Sequence, residues 1–169
     1  IENGIEISEF STSEPENKQV EQFNCNNVQF VIGFIGRFMP QKGFLYFIDI
    51  VNYLKKNTDK NFIVVCVGGY DGYIREYRKK IKKNGLNDYF KFIGFKENVN
   101  LVMRQMDVLV IPSLWEACPI LPMEALICGT PIVAFSCIGL REVLGNTPTF
   151  LVPEKDWQTM AADIIKIMN

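Results

Sequence analysis

Short, continuously apolar runs alternate along this chain with segments whose apolar residues return at helical spacing, and that alternation limits the possible folds more than any other feature. Val28–Ile35 (VQFVIGFI) reads as a first strand, ended by Gly36. Behind Pro40 and Gly43, residues Phe44, Phe47, Ile48, Val51 and Leu54 share one face of a helix expected over Lys42–Lys56. Asn61–Val67 (NFIVVCV) is the second strand, stopped by Gly68 and Gly69. Tyr73, Ile74, Tyr77 and Ile81 then mark a helix that Gly85 closes. Tyr89–Ile93, Asp107–Ile111 and Pro131–Phe135 supply strands three to five, with helices at Glu97–Met106 and Leu121–Cys128. Pro122 falls in the first turn of the latter, where a missing N–H costs little. The stretch holding Ile138 and Gly139, ahead of Glu142, reads as a loop. Thr149–Val152 gives a weaker sixth strand, and a last helix runs from about Lys155 with Trp157, Ala161, Ile164 and Met168 inward. Strands that are apolar throughout, rather than alternating, are those buried on both faces. The pattern therefore predicts one doubly wound, Rossmann-like α/β domain: a parallel sheet of about six strands with helices on both faces.

Composition narrows the function classes. The 169 residues are 48% hydrophobic and 22% charged, ordinary for a globular domain. Eighteen Lys and Arg against nineteen Asp and Glu leave a net charge of -1, which excludes a generally basic nucleic-acid binder. The strongly apolar run around Met106–Leu114 is too short to span a membrane. Five widely spaced cysteines, no CxxC pair and no histidine argue against a zinc site and fit reduced thiols in a cytoplasm. Residues 1–24 carry six glutamates against one lysine and read as an acidic linker, leaving 25–169 as the folded domain. The opening on Ile1 rather than Met suggests a processed product or an excised piece.

Ligands of such sheets sit beyond the carboxyl ends of the strands, where the winding reverses. With the strand order 3-2-1-4-5-6 common to this class, strands one and four are neighbours there, so the loops after Ile35 and Ile111 face one crevice. The first loop, Gly36-Arg37-Phe38-Met39-Pro40-Gln41-Lys42-Gly43, places two cations between glycines; a guanidinium fork and an ammonium together suit phosphate oxygens. The bland reading is two solvated charges beside a turn. The second loop places Glu116 ahead of a helix beginning near Ile120, with Glu124 in its first turns. The N–H groups at that helix start form an anion site, while carboxylates accept hydrogen bonds from paired hydroxyls. The bland reading is a solvated Glu116 and a Glu124 that offsets the helix dipole. Taken together, the loops describe a nucleotide-sugar or similar phosphorylated polyol.

The segments GRFMPQKG, VVCVGGYDG, FKFIGFKENV, DVLVIPSLWEACPILPMEALICGTPIVA and FLVPEKD resemble, in order and spacing, the retaining glycosyltransferases of the group 1 (GT4-like) family, which have the GT-B fold. Glu116 and Glu124 resemble that family's E-x7-E motif, and Arg37 and Lys42 its diphosphate-binding R-x4-K. IENGIEISEF is similar to the family's hinge segment. The resemblance implies one half of a GT-B fold, the C-terminal donor-binding domain. It also implies that Arg37, Lys42 and Glu116 serve the transfer, the cations neutralising the leaving diphosphate and Glu116 contacting sugar hydroxyls. Backbone amides of Cys118, Ile120 and Leu121 would join the cations, Glu124 would hold the ribose, and Gly94, Phe95, Lys96, Gly68 and Gly69 would border the base.

Two positions depart from the family pattern: Pro119 stands where Gly or Ser is frequent, and Ile138 precedes Gly139 where a second Gly is common. The implied activity moves a hexose from a nucleoside-diphosphate sugar to a glycan or lipid-linked acceptor with retention. No D-x-D pair is present, so metal-independent transfer with no cofactor is expected. The acceptor would be bound by an N-terminal domain that this chain lacks, so the chain alone is expected to bind a nucleotide without transferring sugar. A stand-alone, non-catalytic nucleotide-sugar-binding module of the same ancestry is the alternative. A dinucleotide-dependent oxidoreductase is disfavoured because GFIG lacks the G-x-G-x-x-G spacing. Arg75, Arg78, Lys79, Lys80, Lys82 and Lys83 form a basic helix face, either simply solvated or attracted to anionic headgroups at the cytoplasmic face of a membrane.

Overall fold

The computed structural model describes residue 5, residues 28–69 and residues 72–169. The acidic segment expected over 1–24 lies outside these described residues, apart from Ile5. The described chain forms strands β1 (Phe30–Ile35), β2 (Phe62–Val67), β3 (Phe90–Gly94), β4 (Val108–Ile111), β5 (Ile132–Phe135) and β6 (Phe150–Val152). Between and after them run α1 (Phe44–Asn57), α2 (Ile74–Lys83), α3 (Val99–Met103), α4 (Leu121–Cys128), α5 (Ile138–Leu144) and α6 (Trp157–Met168).

All strand pairs are parallel and the sheet order is β3-β2-β1-β4-β5-β6, as the alternation predicts. The winding therefore reverses between β1 and β4. Successive residues of each strand point to opposite faces, and both faces are apolar. Phe30, Ile32, Phe34, Val64 and Val110 pack toward α1, α2 and α6, while Val31, Val65, Leu109 and Ala134 pack toward α3, α4 and α5. The first face is built largely of rings. Phe44 lies at its centre, with ring centroids 4.8 Å from Phe34 and 5.1 Å from both Phe38 and Tyr77.

Three elements differ from expectation. α3 covers only Val99–Met103 of the expected Glu97–Met106, because the backbone passes into turns after Met103. α1 starts at Phe44, not Lys42, because Pro40–Lys42 close a separate 3-10 turn and Gly43 takes a left-handed conformation at φ 67. Lys42 is thereby left in the turn, facing β4. The stretch read as a loop holds α5, whose buried Leu140 and Leu144 recur at helical spacing within only seven residues. Gly139 near its start masks that short pattern, since glycine is a poor helix former.

Candidate functional site

At the carboxyl ends of β1 and β4 the two long loops press directly together. A Cβ on Gly43 would lie 1.8 Å from the carbonyl oxygen of Pro112, so only glycine permits this approach. The Leu114 amide donates to the Gln41 carbonyl at 2.8 Å. The Gln41 side-chain amide in turn donates to the Trp115 carbonyl at 2.9 Å.

One step along each loop, Lys42 Nζ donates to Glu116 Oε1 at 2.6 Å, an ion pair between residues 74 apart in sequence. Their side chains retain 23% and 10% exposure, so the pair is shielded but reachable. It borders a cleft of about 300 Å³ that is also lined by Ser113, Cys118, Ile120 and Leu121, with Phe34 and Val110 of the sheet beneath. α4 opens at that wall, and no side chain caps its N-terminus. Its first-turn amides thus lack intrahelical acceptors, although Pro119 and Pro122 contribute none. The cleft joins one ammonium, one carboxylate and a positive helix end over an apolar floor. It suits a ligand with both anionic and hydroxyl groups.

The structure brings Lys42, Glu116, Cys118, Ile120 and Leu121 together around this cleft. Arg37 is exposed just beyond β1 and is not part of the lining. Glu124 is half-buried in the first turn of α4, also outside the lining, and burial pushes its carboxyl above the ordinary glutamate range. The Gly68 amide donates to the Gly94 carbonyl at 2.9 Å, tying the loop after β2 to the end of β3. Gly69, Phe95 and Lys96 lie exposed beyond the same strand ends, Phe95 at 73%.

Sequence reasoning missed Gln41 and Ser113. Ser113 is a buried polar residue in the lining, and Gln41 joins the two loops. Neither carries a charge, and backbone contacts leave no mark in composition. Among the described residues no group of three or more His, Cys, Asp or Glu is placed to hold a metal ion. No helix among them is long and apolar enough to cross a membrane.

Comparisons with known proteins agree with one another. The family described as "Glycosyl transferases group 1" matches residues 15–169. The 2-deoxystreptamine N-acetyl-D-glucosaminyltransferase of Streptomyces fradiae is 37% identical over 130 residues, which cover 75% of this chain and 31% of that protein. The crystal structure of Anabaena HepE in complex with UDP and glucose superposes with a TM-score of 0.87 at 27% identity, covering 99% of this chain and 46% of that one. In fold, the chain also matches the C-terminal domain of the group 1 family protein LpcC from Francisella tularensis, with a TM-score of 0.80 at 23% identity over 98% of this chain and 88% of that one. The chain thus spans less than half of the length of each of the first two proteins.

Proposed function

This chain belongs to the group 1 glycosyl transferases, and from that membership we propose that it is the donor-binding domain of an enzyme that takes a hexose from a nucleoside-diphosphate sugar. The reading extends to transfer with retention and without a metal, onto a glycan or lipid-linked acceptor held by a further domain, at the cytoplasmic face of a membrane. The observation that carries it is the meeting of Lys42 and Glu116 at the head of α4. That Anabaena HepE, at 27% identity, is complexed with UDP and glucose supports a sugar nucleotide as the ligand class.

In this reading, charge building on the departing diphosphate is met by Lys42, by Arg37 swinging in from the rim, and by the amides of Cys118, Ile120 and Leu121. Fixed donors of this kind act most strongly where charge develops in the transition state. Glu116 accepts from sugar hydroxyls and Glu124 from the ribose, while Gly68, Gly69, Gly94, Phe95 and Lys96 border the base. Residues 1–24 serve as the hinge toward the acceptor-binding domain.

On α2, Arg75, Lys79, Lys82 and Lys83 are exposed, whereas Lys80 pairs with Asp49 at 2.7 Å and Arg78 lies 5.0 Å over the Phe92 ring. Four outward cations on one helix support peripheral contact with an anionic membrane surface.

Calorimetric titration of the chain with UDP-, GDP- and ADP-sugars tests the donor assignment. One of them is expected to bind, and Lys42→Ala is expected to weaken that binding by about tenfold, the loss of one charge-assisted contact. In the intact enzyme, Lys42→Ala and Arg37→Ala are each expected to slow transfer by on the order of 10²-fold. Binding of none of these sugars, or near-normal turnover by both variants, rejects the assignment.

A further inference from the structure

Glu116 lies in a segment without regular secondary structure, yet its backbone is held from two sides. On one side stands the loop after β1, where Gln41 accepts from the Leu114 amide through its carbonyl and donates to the Trp115 carbonyl through its side chain. On the other stands the start of α5. Gly139 is buried there, and a Cβ added to it would lie 2.4 Å from the Glu116 carbonyl oxygen and 3.0 Å from that of Ala117. Cys137, two residues before Gly139, is buried there as well.

We propose that Gln41 and Gly139 are positioning residues for Glu116, forming the two sides of a bracket that sets where its carboxylate stands relative to Lys42. This deepens the donor-site reading and rests on it. Neither residue lines the cleft. Gln41 directs its side-chain N–H at a neighbouring carbonyl, and Gly139 contributes only the absence of a side chain. The physical need is clear: a carboxylate on an untethered loop must be ordered anew at every binding event, whereas one fixed during folding is ready beforehand. The Glu116 loop passes between an edge made by α5 and an edge made by the β1 loop, so displacement toward either side meets backbone.

Two measurements on Gln41→Met and Gly139→Ala test this. Gln41→Met keeps the side-chain length and removes the donor, at a site where no core packing is lost. Amides of residues 114–117 are expected to exchange with solvent about tenfold faster in both variants, while amides of β1 and β4 keep wild-type rates. The second measurement titrates UDP-glucose, GDP-mannose and ADP-glucose beside UDP, GDP and ADP. For the tightest pair, sugar-nucleotide affinity is expected to fall about threefold or more while the affinity of the bare diphosphate holds. Unchanged exchange in Gln41→Met overturns the bracket. Equal loss of both ligands with a lowered Tm overturns the positioning role in favour of a merely structural one. If Gly139→Ala does not fold, Gln41→Met decides alone. A wild-type chain that binds none of the six rejects the donor-site reading and with it the positioning role, while the exchange data still decide whether the bracket exists.

Discussion

Lys42 and Glu116 neutralise each other across 2.6 Å, so an incoming phosphate must compete with a carboxylate for the ammonium. A pair with this much solvent access is worth up to about 1 kcal/mol. Glu116→Gln is therefore expected to tighten binding of bare UDP by about two- to fivefold at low salt, while removing the sugar contact proposed for it; calorimetry of UDP and UDP-glucose side by side checks the opposite signs. Glu124 makes a separate prediction. Burial raises its carboxyl in the folded state, so the fold holds that proton more tightly than the unfolded chain does. The resulting stability is fully present below the ordinary glutamate pKa of about 4.3 and is lost as pH climbs through the raised folded value. Glu124→Gln should then raise Tm at pH 7 and give no gain near pH 4, as thermal melts at the two pH values will show. The sequence made both carboxylates visible because charge in an apolar context stands out. It could not show that Lys42 and Glu116 contact each other, since that depends on how closely Gly43 lets two loops approach.

Among the elements, those with long apolar faces are legible in the sequence, whereas α3 is overextended and α5 is missed. β1, β2, β4 and β5 are buried on both sides, and no polar alternation blurs their limits. α5 has seven residues and opens with glycine in its first turn, so its period is too brief to separate from a loop. The sequence places the start of α1 two residues early because Pro40–Lys42 form a distinct turn directly before it. α1 carries the ring cluster, and Phe44→Ala would leave a void among Phe34, Phe38, Phe47 and Tyr77. A loss of about 3–5 kcal/mol is expected, read from the urea midpoint at constant slope. For α2, the exposed cations predict cosedimentation with phosphatidylglycerol vesicles at low salt that disappears at high salt and in Lys79→Gln/Lys82→Gln/Lys83→Gln. Binding that survives both changes would refute an electrostatic contact.

Over the whole molecule, strand order was accessible from sequence because parallel strands joined by helices admit few windings. The order β3-β2-β1-β4-β5-β6 places the reversal beside Lys42 and Glu116, so topology rather than local sequence brings residues 74 positions apart together. What topology does not specify is which of the residues beyond the strand ends meet: Arg37 and Glu124 share that end of the sheet with the cleft but stand outside its walls.

A cation already answered by its neighbour projects little field past the mouth of its cleft, and the chain as a whole carries a net charge of only -1. Long-range attraction should then do little to hasten the arrival of an anionic donor. The bimolecular arrival rate, followed by stopped-flow mixing, should change by less than about twofold as ionic strength rises from roughly 0.02 to 0.3 M, whereas Glu116→Gln should make it fall with added salt. Capture would thus be governed by diffusion and fit, with electrical selectivity appearing only after the molecule is inside.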